Sequence, residues 1–433
     1  MILRVFFPRI EISGIDRVPR DGPVMLAVNH PNGLIDPLFL LCLSPRPVSF
    51  LAKAPLFQMP VISWFVRALG SIPVYRRQDG GFDPAKNRQT FERARSILSS
   101  GGVIAIFPEG ASHDDPKLRP LKTGAARIAL GATSMNSDGA PLTIVPLGIY
   151  YTAKRLFRSS ALLYFGEPVS VTPAPLKPNG EPPSDAVHAV TDRIERALND
   201  VTLQADEHEA LALVARAEEV FSSEDPAAAA RLVDKFELRR RFMAGYATLR
   251  THAPERLEAI TARITRYETE LREAGLDPHT LKPAAARGAH QMGEARALAL
   301  PILGLPLALI GAIVNYPAYR MVGFIATGLS RGDEGIVATI KLIAGALLFP
   351  VTWILVALTV GFSFDALAGG GALLLAPISG YVALLVFERL DELRAGARAV
   401  AVSRFQRWGY LRLVAERTAI REEIMQLAAD FEA

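Results

Sequence analysis

Hydrophobic positions in the first 200 residues or so form short, nearly continuous runs separated by polar stretches. The strands predicted from these runs cover 4–13, 24–29, 71–75, 102–107, 143–150 and 161–166. Such runs are typical of strands buried on both faces of a sheet. A helix is predicted over 84–100, because Asp83 and Pro84 match an N-cap followed by proline in the first turn. This alternation predicts an α/β fold with a mostly parallel sheet flanked by helices.

The pattern changes after a proline-rich segment at 172–185, where the apolar residues take up a helical period. We therefore predict a first domain over residues 1–200 and a helical connector over 201–295. The connector is rich in Ala, Glu and Arg and carries no motif that suggests chemistry, so a structural role is predicted for it. A membrane region is predicted over 296–390 and a basic amphipathic helix over 391–433.

Two uncharged apolar runs in the membrane region, 342–362 and 366–387, have spanning length, for which about 20 residues suffice. A third run, 298–314, is shorter and interrupted by Pro301 and Pro306. Three crossings would place the arginine-rich tail opposite the first domain, whereas a hairpin of two keeps every basic cluster on one side. The sequence thus predicts a transmembrane hairpin, with 298–314 re-entrant or interfacial.

Composition narrows the class of function. The net charge is +4, and 50% of the 433 residues are hydrophobic. The positive charge suits anionic substrates or an anionic membrane leaflet. No basic and aromatic stripe of the kind that binds nucleic acid is present. Cys42 is the only cysteine, which excludes an intramolecular disulfide. The N-terminal segment does not match a signal peptide, so the catalytic part is expected on the cytoplasmic face of an integral membrane protein.

One loop combines residue types that suit acid–base chemistry. Residues 29–33, NHPNG, directly follow a predicted strand, where open α/β sheets bind ligands. Asp36 precedes Pro37 and is predicted to be the N-cap of the next helix, from where its carboxylate could reach back to His30. In that arrangement His30 would be a general base and Asp36 the group that orients it. The alternative is a capping aspartate beside a buried histidine.

Three further blocks accompany this loop. Residues 70–77 read GSIPVYRR, residues 107–113 read FPEGASH and residues 145–148 read VPLG. With the first block, they resemble the glycerolipid acyltransferase superfamily, the PlsC-like enzymes, over roughly residues 8–170. The resemblance implies an α/β acyltransferase domain that transfers a fatty acyl chain from a thioester to a glycerol-phosphate-type acceptor.

Two details resemble one subgroup of that superfamily. Five residues separate His30 from Asp36, where the commonest family pattern has four, and Ala111 stands between Gly110 and Ser112, where Thr or Ser usually follows the glycine. Both features are similar to glycerol-3-phosphate and dihydroxyacetone-phosphate acyltransferases, as is the run LKTGA at 121–125. The resemblance implies a phosphorylated three-carbon acceptor. The alternative acceptor is a lysophospholipid, 1-acylglycerol 3-phosphate.

The resemblance and the needs of acyl transfer assign roles to the site residues. His30 is expected to be the catalytic base and Asp36 its partner. The expected substrate-binding residues are Arg76 and Lys122 for phosphate, Glu109 and Gly110 for the pocket, with the Gly110 amide as a donor to phosphate or oxyanion, and Ser112 as a hydrogen-bond donor. Arg77 is interpreted as a solvated neighbour. Acyl-CoA or acyl carrier protein is the implied co-substrate, and no other cofactor is expected.

Two alternatives from other classes use the same residues differently. His113 and Asp114, placed beside His30 and Asp36, would suit a metal-dependent lipid phosphatase or hydrolase. They lack the helical two-histidine spacing of a zinc site, so no metal is expected. A non-catalytic membrane scaffold is the second alternative. The expected partners are an acyl thioester, the phosphorylated acceptor and membrane lipid, without nucleic acid.

Overall fold

The computed structural model describes residues 2–68, 70–76, 83–135, 141–154, 156–223, 231–276, 278, 281, 291–330 and 334–432. The chain forms two compact units. The first comprises Met1–Asp206 and Asp333–Thr339, and the second comprises Glu207–Gly332 and Ile340–Ala433.

The first unit alternates strands with helices. Its strands are β1 Ile10–Ser13, β2 Val24–Val28, β3 Val48–Lys53, β4 Ile72–Val74, β5 Val103–Ile106, β6 Leu142–Tyr151, β7 Ala161–Phe165 and β8 Val169–Val171. Its helices are α1 Ile2–Phe6, α2 Ile35–Leu43, α3 Pro60–Ala68, α4 Pro84–Ser99, α5 Gly124–Thr133 and α6 Ser184–Asp200, with short 3-10 turns at Ile15–Arg17 and Ala54–Gln58.

The eight strands found in the described part of this unit form one sheet in the order β1-β7-β6-β2-β5-β3-β4, and β8 pairs with β6. Pairing is parallel except where β6 meets β7 and β8. The predicted α/β class, a mostly parallel sheet with helices, is confirmed. Because β2, β5, β6, β3 and β4 point the same way, the loops that follow them lie along one edge of the sheet.

The centre of the sheet is buried on both faces. Every residue of β2 and β5 is buried, as the continuous apolar runs predicted. On one face, Leu98 of α4, Ile128 of α5 and Ile194 of α6 pack with Met25 and Ile104 into a single hydrophobic cluster. Burial of such side chains contributes about 1.5–3 kcal/mol each to folding. This rigid centre supports the loops after β2 and β5.

Three local differences from the predicted strands have simple causes. The predicted strand 4–13 begins with helix α1 and is extended only at Ile10–Ser13, since Pro8 ends the helix. The pattern analysis missed β3, whose run is only partly buried, and β8, which has three residues. The predicted helix at 84–100 is confirmed as α4, and Asp83 caps it by accepting hydrogen bonds from Ala85 and Lys86.

The second unit is helical. It contains α7 His208–Ser222, α8 Leu232–His252, α9 Pro254–Glu273, α10 Gln291–Ser330, α11 Glu334–Ser363, α12 Ala366–Phe405 and α13 Arg407–Glu432, although the first residues of α11 belong to the first unit. A hydrophobic cluster joins α7, α9 and α13 through Val220, Ile264 and Ile420. Arg263 of α9 pairs with Glu416 and Glu423 of α13, and this pairing lowers the pKa of Glu416.

Among the described residues, three helices are long and apolar enough to cross a membrane: Pro301–Leu329, Val337–Ser363 and Ala366–Phe405. The apolar run at 298–314 belongs to a longer helix, since α10 continues through Pro301, Pro306 and Pro317. Its re-entrant or interfacial placement stays a prediction. The segment 391–433, predicted as one helix, is instead divided between two helices. Its first part continues α12 to Phe405, and α13 begins at Arg407 after a break at Gln406.

Close packing of α10 against α12 depends on glycine. Gly304 lies against Val386, Gly311 against the Ser379 carbonyl, and the Asn315 amide donates to the Ala376 carbonyl at 3.3 Å. The Asn315 oxygen also accepts from the Trp353 indole of α11 at 2.8 Å. Small residues and interhelical hydrogen bonds are the means by which helices associate in lipid. In this stretch α10 and α12 run antiparallel.

Gly311→Val tests this packing. A Cβ atom at Gly311 would overlap the backbone of Ser379, so the two helices must separate. We expect a loss of about 1–3 kcal/mol in unfolding free energy, the usual range for overpacking. Gly323→Val is the matched control, since the same helix leaves open space around Gly323. Thermal unfolding in detergent measures both variants, and equal midpoints would contradict the close contact.

Candidate active site

The predicted site residues meet at the carboxyl edge of the sheet. His30 follows β2, and Glu109 and Gly110 follow β5, its parallel neighbour, in which Ala27 is in register with Ile106. The amide of His30 donates to Glu109 Oε1 at 3.3 Å, and the amide of His113 donates to the His30 carbonyl at 3.2 Å. The two loops are thereby joined through their backbones.

The His30 ring is held on two sides. Its Nδ1 lies 2.8 Å from Asp36 Oδ2, and its plane stacks on Phe107 with ring centroids 4.0 Å apart and an interplanar angle of 19°. Asp36 accepts the proton on Nδ1, which leaves the lone pair on Nε2. Within the part of the chain that the structure describes, Nε2 hydrogen-bonds no protein group, and the side chain is 16% exposed. This geometry suits a base that receives a proton from a bound molecule.

Asp36 is not the N-cap that the sequence predicts. Helix α2 begins at Ile35, so Asp36 lies within its first turn and its carboxylate points back into the preceding loop. There Oδ2 accepts from the Asn32 amide at 2.7 Å as well as from His30, and Oδ1 accepts from the Tyr151 hydroxyl at 2.5 Å. The side chain has no exposed surface. Burial among three donors holds this carboxylate in one orientation.

The Glu109 carboxylate is occupied by the protein itself. The residue is only 4% exposed, and its oxygens accept from the His30 amide, the Arg119 amide and the His113 ring. The His113 Nδ1 accepts from the Asp115 amide at 3.1 Å, so its proton is on Nε2 and is donated to Glu109. Glu109 therefore holds the two loops in place. Its effect on the predicted acceptor pocket is indirect, through the positions of these loops.

Arg76 and Lys122 border the same residue. The Arg76 guanidinium donates to the Gly110 carbonyl, and the Lys122 side-chain carbons lie against the open face of Gly110, which has a φ of +80°. The Asn87 amide group bonds both the N–H and the carbonyl of Tyr75, at 2.9 and 2.6 Å, and so holds the backbone just before Arg76. The structure thus brings the two predicted phosphate-binding cations together.

Three further residues that the sequence analysis discussed, Gly110, Ser112 and Arg77, have different outcomes. The Gly110 amide, expected as a donor to phosphate or oxyanion, already donates to the Phe107 carbonyl at 3.0 Å. Ser112 is half-buried and makes no hydrogen bond with any other described residue, so its role stays a prediction. Arg77 lies outside the described residues.

The sequence analysis missed two residues beside the site. Tyr151, at the end of β6, bonds Asp36, and Lys154 donates to the Pro31 carbonyl at 3.4 Å and pairs with Asp114. Neither residue was conspicuous in the sequence, since Tyr151 ends an apolar run of the kind that is typical of a buried core. Its position at the carboxyl end of a strand parallel to β2 is informative only once that pairing is known.

The metal-dependent alternative needs several ligands that converge. Among the residues that the structure describes, no three His, Cys, Asp or Glu side chains are grouped so that they could hold a metal ion. His113 is engaged with Glu109, and Asp114 with Lys154.

Comparisons with known proteins agree on the class. Residues 9–150 match a family model described as Acyltransferase. An uncharacterized acyltransferase of Schizosaccharomyces pombe is 27% identical over 65% of this chain and 54% of its own length. Glycerol-3-phosphate O-acyltransferase 1 of Saccharomyces cerevisiae is 30% identical over 61% of this chain and 36% of its own length. A chloroplastic 1-acyl-sn-glycerol-3-phosphate acyltransferase of Brassica napus is 30% identical over 34% of this chain and 39% of its own length.

The α/β unit is therefore similar to the Acyltransferase family over residues 9–150, and a glycerol-3-phosphate O-acyltransferase and a 1-acyl-sn-glycerol-3-phosphate acyltransferase are among the relatives of the chain. The chain spans about half or less of the length of these curated relatives.

Proposed function

We propose that this protein is a membrane-bound O-acyltransferase of phospholipid biosynthesis. It transfers a fatty acyl group from acyl-CoA or acyl carrier protein to a glycerol-3-phosphate-type acceptor. The observation that carries the proposal is the His30–Asp36 pair, with a buried carboxylate and an open Nε2, on the same sheet edge as Arg76 and Lys122. One group can take a proton from an alcohol while the cations bind a phosphate.

The proposed reaction needs no enzyme nucleophile. The Nε2 atom of His30 removes the acceptor hydroxyl proton as the oxygen attacks the thioester carbonyl carbon. Asp36 stabilises the imidazolium and keeps Nδ1 protonated. The tetrahedral intermediate collapses, the carbon–sulfur bond breaks and the ester forms. The leaving thiolate takes the proton back from Nε2, which returns the histidine to its neutral state.

The acceptor is proposed to be glycerol 3-phosphate. Five residues separate His30 from Asp36, as in the acyltransferases of phosphorylated three-carbon acceptors. Similarity to the yeast glycerol-3-phosphate enzyme runs over 282 residues, whereas similarity to the Brassica napus lysophosphatidate enzyme runs over 149. The lysophospholipid 1-acylglycerol 3-phosphate is the second candidate.

A panel of radiolabelled acceptors with one acyl-CoA tests the function. Purified protein in detergent is expected to acylate glycerol 3-phosphate, with dihydroxyacetone phosphate and 1-acylglycerol 3-phosphate as comparisons and acyl carrier protein as a second donor. Absence of product with every acceptor and both donors, from folded protein, would refute the proposal.

Activity that survives thorough chelation would remove the metal-dependent alternative, and complementation that survives His30→Ala would favour the scaffold.

Arg76→Ala addresses the phosphate site. Loss of a charged donor to phosphate is worth about 1.5–3 kcal/mol, so the KM for the acceptor should rise roughly 10- to 100-fold with a smaller change in kcat. Lys117→Ala is the matched control, because that side chain is 61% exposed and pairs with Asp206 at the surface. Steady-state kinetics with varied acceptor separates the two constants. An unchanged acceptor KM would show that Arg76 does not bind the phosphate.

We also propose that α11 and α12 cross the membrane as a hairpin, with the catalytic domain on the cytoplasmic face. Three consecutive straight crossings would make α10 and α12 parallel. Instead, Gly304 contacts Val386 and Asn315 contacts Ala376, so the two helices are antiparallel. This arrangement supports a re-entrant or interfacial α10. The arginines after Phe387 favour the cytoplasm for the end of α12.

A further inference from the structure

Tyr151 lies behind the His30–Asp36 pair. It is the last residue of β6, which is parallel to β2, and it is 8% exposed. Its hydroxyl donates to Asp36 Oδ1 at 2.5 Å. Phe7 and Phe39 pack around the ring, with centroids 5.4 and 6.0 Å away. A tyrosine that only filled this apolar space would not need its hydroxyl directed at the Asp36 carboxylate.

The two oxygens of Asp36 have different partners. Oδ2 is shared by the His30 ring and the Asn32 amide, whereas the partner of Oδ1 is the tyrosine. An aspartate with one free oxygen could rotate about its last side-chain bond and exchange the oxygen presented to His30. The tyrosine bond opposes that rotation. It also competes with the imidazole for the negative charge, because both groups donate to one carboxylate.

We propose that Tyr151 is a positioning residue for the acyl-transfer reaction: through Asp36 it fixes the orientation of His30 and limits how readily the pair takes up a proton. This inference rests on the proposed function, in which His30 is the base. Tyr151 itself does not touch the reacting atoms, and its effect passes through the carboxylate.

The tyrosine is suited to be a permanent donor. Burial, together with the charge of Asp36, raises the pKa of Tyr151 well above its ordinary value, so the hydroxyl keeps its proton throughout the physiological range. The other charged groups near this chain of contacts come from neighbouring loops. They are Lys154 after β6, which donates to the Pro31 carbonyl and pairs with Asp114, and Glu109 after β5, which accepts from the His30 amide.

The direction of the pH effect follows from the charge states. The active form has a neutral imidazole beside an ionised carboxylate, and this form places the most charge on the oxygen that Tyr151 bonds. Once the imidazole is protonated, the pair carries less net negative charge. The hydrogen bond from the Tyr151 hydroxyl then stabilises the pair less. Removing the hydroxyl therefore destabilises the active form more than the protonated one, and protonation of the pair shifts to higher pH.

Tyr151→Phe tests the inference, because it keeps the ring and removes only the bond to Asp36. We expect kcat to fall about tenfold near neutral pH, with little change in either KM, and the acidic limb of the pH profile of kcat to move to higher pH. Part of the loss should be recovered in alkaline buffer. Tyr150→Phe is the matched control, since the preceding residue of the strand points to the other face of the sheet.

The outcomes separate this inference from the proposed function. If wild-type protein and Tyr150→Phe are active, His30→Ala is inactive, and Tyr151→Phe keeps the wild-type pH profile, the positioning role is overturned while the acyltransferase stands. A uniform loss of kcat across pH, with a lowered unfolding midpoint, would also overturn it in favour of a packing role. If wild-type protein acylates no acceptor, it is the proposed function that fails.

Discussion

His30→Gln should reduce kcat by about 10³-fold or more, because it removes the proposed base and leaves the proposed binding site in place. Glutamine fits the half-buried space of the imidazole, but its amide cannot accept a proton near neutral pH. The loss should affect kcat much more than the KM of the acceptor, since Arg76 and Lys122, the proposed phosphate-binding cations, remain. Initial rates with saturating acyl-CoA and varied glycerol 3-phosphate measure both constants.

A second histidine provides the control for that substitution. His188 is exposed on α6, so His188→Gln should leave the rate unchanged. Unfolding midpoints of both variants should match wild type to within a few degrees. A His30→Gln protein that is folded and retains more than about a tenth of wild-type activity would show that another group removes the hydroxyl proton.

Asp36→Asn should lower kcat by about 10³- to 10⁴-fold, the scale on which an aspartate-to-asparagine change acts in a comparable histidine pair. The carboxylate accepts from His30, Asn32 and Tyr151. An amide offers only one oxygen to these donors, and its NH₂ group would face another donor. The ring would then adopt the other tautomer or turn away, and the proton-accepting lone pair on Nε2 would be lost.

Stability must be followed together with rate for this variant, because Asp36 has no exposed surface. Leaving a buried donor unpaired costs about 1–3 kcal/mol, which lowers the unfolding midpoint without unfolding a robust domain. Asp185→Asn on the exposed start of α6 is the matched control. Near-normal activity in folded Asp36→Asn protein would mean that the contact with His30 has no catalytic consequence.

The His30–Asp36 contact could be anticipated because the two residues are only six positions apart in the chain. Pro31 holds the strand end extended, and a carboxylate six positions further along can fold back to it. The predicted helix start was wrong by two residues, and this changes the role of Asp36. As a residue of the first turn it does not cap α2, and its carboxylate serves the loop instead.

Contacts between segments that are distant in the chain could not be predicted from the hydrophobic pattern of the sequence. Tyr151 is 115 positions from Asp36, and nothing near it in the sequence distinguishes it from a core residue. Glu109 belongs to the FPEG block, but its carboxylate accepts hydrogen bonds from three groups of the protein itself, which lie at different positions in the chain. Which oxygen meets which donor depends on the register of β2 against β5 and β6.

By itself the sequence determined the α/β class, the order of the family blocks and the apolar helices, since each of these follows from local periodicity and composition. Only the tertiary structure decided how α10 lies against α12 and how Tyr151, Asp36 and His30 join into one chain of contacts. Periodicity records which face of an element is buried. Partners far apart in the chain are selected by strand register and close packing, and these form only when the whole unit folds.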